Sequence, residues 1–88
     1  MRYQQSPNQV SSEMDEEVVM MSIEQGRYFG LGELGSFIWR KLANPITAAE
    51  ISEHIIQEYD VGFEQALADT QEFLDQLFEQ ELVITLAD

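Results

Sequence analysis

The sequence predicts an α+β fold in which a small antiparallel sheet comes first and three helices follow. Three observations point to it. The front third holds short β-prone runs separated by turn residues, Thr47-Ala48-Ala49-Glu50 is a capping box, and residues 63–80 repeat apolar side chains at helical spacing.

The elements follow in chain order. Residues 1–8 are polar, carry Pro7-Asn8 and read as a flexible N-terminal arm. Val10–Met14 reads as a short edge strand, and Asp15-Glu16 as a turn. Glu17–Ile23 contains Val18-Val19-Met20-Met21 and is the strongest strand signal. Glu24-Gln25-Gly26 follows, with Gly26 able to take the positive φ of a hairpin turn. Arg27–Leu31 returns; alternation sets Phe29 and Leu31 on one face, Tyr28 and Gly30 on the other. Gly32 then caps a helix that carries Leu34, Phe37, Ile38 and Leu42 at helical spacing until Asn44-Pro45 stops it. In the second helix the Thr47 hydroxyl accepts from the Glu50 amide, and the Glu50 carboxylate accepts from the Thr47 amide. Ile51, Ile55 and Tyr59 form its apolar stripe. The last helix gathers Phe63, Leu67, Thr70, Leu74, Leu77 and Phe78 in one arc, with Ala66 and Phe73 at its edge. Residues 81–86 are an apolar tail suited to packing back or pairing as a strand.

Composition narrows function. The 88 residues fit one domain and include 17 acidic and 4 basic side chains, a net charge of −13. No Lys or Arg follows Lys41, so a phosphate backbone finds no cations there, and nucleic acid is not an expected partner. The absence of cysteine excludes disulfides, thiolate metal sites and thiol catalysis. No apolar run is long enough for a membrane span and no secretion signal is evident, so the expectation is a cytoplasmic, non-membrane protein.

No catalytic constellation emerges. His54 is the single imidazole, on an acidic helix with neither a nucleophile nor an orienting acid. Glu50 and His54 have helical ligand spacing, but two ligands do not make a metal site. Gly30, Gly32 and Gly35 lack the spacing of a dinucleotide loop and the lysine of a phosphate loop; turn geometry and close packing explain them. The expectation is therefore a non-enzymatic protein with no catalytic residue, metal or cofactor. Aromatic residues gather at the strand-to-helix corner, where Phe29, Phe37 and Trp39 suit a core and Tyr28 points the opposite way.

That corner, Gly26–Trp39, together with Thr47–Ile51, Glu58–Val61, Asp69–Leu77 and Leu82-Val83, resembles the PqqD-like proteins. The likeness spans residues 9–86, read as a single PqqD-like peptide-recognition domain. Two departures stand out: Gly32 where the family usually has asparagine, and Glu81 where it often has glycine. The resemblance implies a winged-helix-like fold, a three-stranded antiparallel sheet followed by three helices. It also implies recognition of precursor peptides of ribosomally made natural products, most like the stand-alone B1 proteins of lasso-peptide pathways. On that footing the partners are a precursor leader peptide, a leader peptidase of the transglutaminase-like cysteine protease type, and an asparagine-synthetase-like cyclase. The chain would add the leader as a strand along Arg27, Tyr28, Phe29, Gly30 and Leu31. The last helix would wall the groove through Ala66, Asp69, Thr70, Phe73, Gln76 and Leu77. The alternative within the family is a peptide chaperone in pyrroloquinoline quinone biosynthesis. Outside it stand a winged-helix DNA-binding protein, which the cation-free last helix opposes, and an acyl carrier protein, which the missing Asp-Ser-Leu site opposes.

Overall fold

The computed structural model describes residues 1–15, 17–23 and 25–87. Glu16 and Glu24, which the sequence assigns to turns, and Asp88 lie outside the described residues. The order is β1 (Arg2–Gln5), β2 (Gln9–Met14), β3 (Glu17–Ser22), β4 (Arg27–Gly30), α1 (Glu33–Lys41), α2 (Ala48–Glu58), α3 (Phe63–Glu79) and β5 (Val83–Leu86). The expected three antiparallel strands and three helices are present, with a second, two-stranded sheet formed by β1 and β5.

The larger sheet runs β2-β3-β4, with Met20 opposite Ser11 on one side and Phe29 on the other. Its period of two decides the layers. Val18, Met20 and Ser22 are buried toward the helices, while Val19 and Met21 are half-buried on the opposite face. Gly26 makes the β3–β4 turn at φ +64°, where a side chain would be strained. Ser36 of α1 pins the sheet to the helices. Its hydroxyl oxygen accepts from the Val18 amide at 2.9 Å and donates to the Leu31 carbonyl at 3.1 Å.

The capping box forms as the sequence predicts. The Glu50 amide donates to the Thr47 hydroxyl at 3.1 Å, and the Thr47 amide to the Glu50 carboxylate at 3.0 Å. The Thr47 backbone amide, then its side chain, holds the Glu50 carboxyl below its ordinary value of 4.5. Stability from that lowering is complete above the unfolded value and lost as pH falls through the folded one. Thr47→Ala removes the hydroxyl that caps the Glu50 amide and should cost about 1 kcal/mol, or about 4–8 °C in Tm. Glu50→Gln should flatten part of the acid limb of a Tm-against-pH series; an unchanged limb would contradict the assignment.

In α3 the buried stripe is Ala66, Thr70, Leu74 and Leu77, which packs on Ile51 and Ile55 of α2 within one core. The stripe is rotated from the expected arc, because Phe63 and Phe78, at the two ends of the helix, stay exposed. Glu81 takes the left-handed conformation at φ +61° despite its side chain. The Leu82 amide donates to the Leu77 carbonyl at 2.9 Å and the Glu81 amide to the Phe78 carbonyl at 3.0 Å, the bond pair of a Schellman motif. Burial of Leu82 beside Leu77 offsets the strain.

One expectation needs correcting. Residues 1–8 do not form a loose arm throughout, since Arg2–Gln5 pairs antiparallel with Val83–Leu86. Tyr3 is the reason. Its ring joins the core, its hydroxyl accepts from Gln71 Nε2 at 3.1 Å, and its backbone exchanges hydrogen bonds with Ile46 at 2.8 and 3.0 Å. The apolar tail thereby gains a strand partner. Among the described residues no helix is long and apolar enough to cross a membrane.

Candidate peptide-binding groove

β4 is an edge of the three-stranded sheet. The Leu31 amide donates to the Val18 carbonyl at 2.9 Å, which fixes the parity of the ladder. Amide and carbonyl of one residue point to the same side of an antiparallel strand, and those of the next point away. Phe29 thus faces β3, while the amides and carbonyls of Tyr28 and Gly30 face the open edge.

Across from that edge lies the C-terminal half of α3. The groove between them has a volume of about 470 Å³ and is lined by Tyr28, Phe29, Gly30 and Leu31 of the strand side, Phe73, Gln76, Leu77 and Glu79 of α3, and Gln80 and Leu82 beyond it. Phe73 packs close to Gly35. A Cβ on Gly35 would stand 3.4 Å from the Phe73 ring and 3.4 Å from the Leu31 side chain. Arg27 does not line the groove; its guanidinium lies 5.8 Å above the Phe29 ring.

The residues expected on the helix wall divide into two sets. Phe73, Gln76 and Leu77 meet Tyr28–Leu31 in the groove. Ala66 and Asp69 instead line a separate apolar pit of about 140 Å³ with Leu34, Ile55, Tyr59 and Val61. Thr70 is fully buried in the α3 stripe, and its hydroxyl lacks a partner among the described residues. Glu79, Gln80 and Leu82 line the groove without having been expected there. Glu79 and Gln80 reach it as the end and cap of α3, and Leu82 arrives through the left-handed turn at Glu81. A helix end near position 80 followed by an apolar pair is the signal that would have found Leu82.

Tyr59, beside the pit, has its hydroxyl pushed above the ordinary tyrosine range by burial and then by the neighbouring Glu33 carboxylate. Among the described residues no group of three His, Asp or Glu side chains is placed to hold a metal ion. What the groove offers is main-chain donors and acceptors on one side and an apolar wall with a carboxylate rim on the other. Such a site accepts an extended polypeptide.

An edge strand facing a helix across an apolar groove defines a strand-accepting module. The family model for coenzyme PQQ synthesis protein D (PqqD) matches residues 17–83, and the chain belongs to that family. A solved structure of TbiB1 in complex with the TbiA(beta) leader peptide is 36% identical and covers 97% of this chain and 99% of its own, with a TM-score of 0.88. A lasso peptide synthetase B1 complexed with the leader peptide shares the fold at 19% identity, covering 94% of this chain and 98% of its own, with a TM-score of 0.84. None of the curated proteins compared with the chain matches it.

Proposed function

We infer that the chain binds the leader segment of a ribosomally synthesised precursor peptide as a fourth strand along β4, and presents it to the enzymes of a lasso-peptide pathway. The observation that carries this reading is the open edge at Tyr28 and Gly30 facing Phe73 and Leu77 across the groove. It is supported by the similarity to TbiB1, whose structure holds a leader peptide. Main-chain pairing supplies affinity for any extended segment, and the groove selects among side chains at alternate positions. The protein performs no chemistry by itself on this reading; a leader peptidase of the cysteine protease type and an asparagine-synthetase-like cyclase act on what it holds.

Titration with the leader peptide of the same gene cluster tests it. Amide resonances of residues 27–31 should move, and unmoved resonances would refute strand addition. Incubation of precursor, ATP and magnesium with this chain alone should leave the peptide mass unchanged. A pyrroloquinoline quinone precursor offered in parallel distinguishes the alternative suggested by the family's description.

The charge adds a kinetic expectation. With a net charge of −13, association of a lysine-bearing leader should slow as salt rises from about 0.05 to 0.5 M, because the Debye length falls from roughly 14 to 4 Å. Dissociation should change far less. A salt-independent association rate would restrict the acidity to a role in solubility.

A further inference from the structure

β1 lines no part of the peptide groove, yet it is bonded to the supports of both its walls. On one side the Gln5 amide donates to the Leu42 carbonyl at 2.9 Å and Gln5 Nε2 to the Trp39 carbonyl at 2.9 Å, at the C-terminal end of α1. The other end of α1 supports the strand wall, where the Ser36 hydroxyl donates to the Leu31 carbonyl. On the other side Gln71 Nε2 of α3 donates to the Tyr3 hydroxyl at 3.1 Å. Just past β1, the Ser6 amide donates to the Leu82 carbonyl at 2.9 Å. α3 and Leu82 are the helix wall.

Leu82 is the point where this bracing reaches the groove. The residue before it, Glu81, is held at φ +61°, a backbone conformation disfavoured for a residue with a side chain. Two hydrogen bonds fix the Leu82 backbone. Its amide donates to the Leu77 carbonyl within the helix end, and its carbonyl accepts from Ser6. Release of β1 removes the second bond and the strand partner of Val83–Leu86 together. Glu81 is then free to relax to a negative φ, which swings Leu82 away from Leu77 and opens the wall. Strain of this kind persists only where the surroundings hold it, so the turn has two arrangements and β1 selects between them.

Resting on the strand-addition reading, we propose that β1 is a positioning strap for the peptide groove. Seated, it holds Leu82 and Leu77 in the arrangement that accepts a peptide; released, it does not. Tyr3 and Ser6 are its positioning residues. Because the peptide favours the seated state, seating and binding strengthen each other by the same factor.

The test uses the full chain and a synthetic leader peptide of the same gene cluster. Tyr3 and Gln5 turn their amides to Ile46 and Leu42, so Gln4 between them faces Ile84 of β5. Gln4→Pro removes that amide and unseats β1 while changing no groove residue. At a temperature where a melting curve shows it folded, its leader affinity should fall about fivefold. Gln4→Thr keeps the amide and should bind as the wild type does. In the wild-type chain, saturating leader should slow hydrogen exchange at Ile84 and Leu86, the β5 amides paired with β1, by the same factor of about five. That slowing should level off once the groove is full, whereas exchange through global unfolding keeps slowing as leader is added. This wild-type measurement decides the matter where the proline variant does not fold. Exchange at Ile84 and Leu86 that leader leaves unchanged, or slows without levelling off, overturns the strap while strand addition stands. So does a folded Gln4→Pro chain whose Ile84 amide exchanges freely and whose affinity is that of the wild type. A Gln4→Thr chain as weak as the proline variant assigns the effect to the side chain and overturns the strap too. Leader that leaves the resonances of residues 27–31 unmoved overturns strand addition and this inference together.

Discussion

Gly30→Pro should reduce leader affinity by one to two orders of magnitude and leave the chain folded. Proline removes the one amide of Gly30, which faces the open edge, and puts its ring where the incoming strand must approach. Proline is tolerated on an edge strand with its nitrogen turned outward, and Phe29 before it is already extended, so the sheet itself has little reason to fail. The lost hydrogen bond accounts for about 1 kcal/mol, and the steric block supplies the rest. Gly30→Ala is the control. A Cβ there meets nothing within 4 Å in the unbound chain, so alanine should fold as the wild type does and, since it keeps the outward amide, should lose far less affinity than proline. A fluorescence anisotropy titration beside a melting curve separates the outcomes. A folded Gly30→Pro chain with undiminished affinity would move the peptide off β4.

Phe73→Asp should produce the other large effect. The ring is half-buried, rests against Gly35 and forms the centre of the helix wall. Aspartate removes that apolar surface and sets an uncompensated charge in the groove, which should cost binding on the order of 2 kcal/mol, about thirtyfold in Kd. Some stability is lost as well, so Phe73→Leu, which keeps the apolar contact with the Leu31 side, should restore folding and most of the affinity. If Phe73→Asp melts normally and binds at full strength, the groove does not receive the peptide.

Much of this was legible in the sequence because short-range chemistry decided it. The capping box at Thr47, the positive φ at Gly26, and the alternation of Tyr28 against Phe29 each depend on residues within one turn or one hairpin. What the sequence hid depends on distant partners. Arg2-Tyr3-Gln4-Gln5 has no strand signal of its own and becomes a strand because Val83–Leu86 lies on one side of it and Ile46 on the other. The helix wall was half legible for a similar reason. The 100° periodicity of α3 finds its buried side but not which neighbour covers each stretch. Ala66 and Asp69 are thus turned to a pit beside α2, and Phe73 and Leu77 to the strand edge. Ser36 gave no sign of its role, since a serine in a helix is ordinary until its hydroxyl is seen between Val18 of β3 and Leu31 just past β4.

The pairing of β1 with β5 makes the fold a loop fastened near both ends. Arg2 meets Leu86, so nearly the whole chain must be in place before this contact closes. Loop-closure entropy rises only with the logarithm of length, about 0.6 kcal/mol for each doubling, so the fastening is late in time more than it is costly. Its release frees two strands at once and uncovers Tyr3 and Val83 in the same step. Removing residues 1–5 would therefore act at the far end of the chain. The amides of Val83–Leu86 would exchange hydrogen far faster, as the strand they belong to lost its only partner among the described residues.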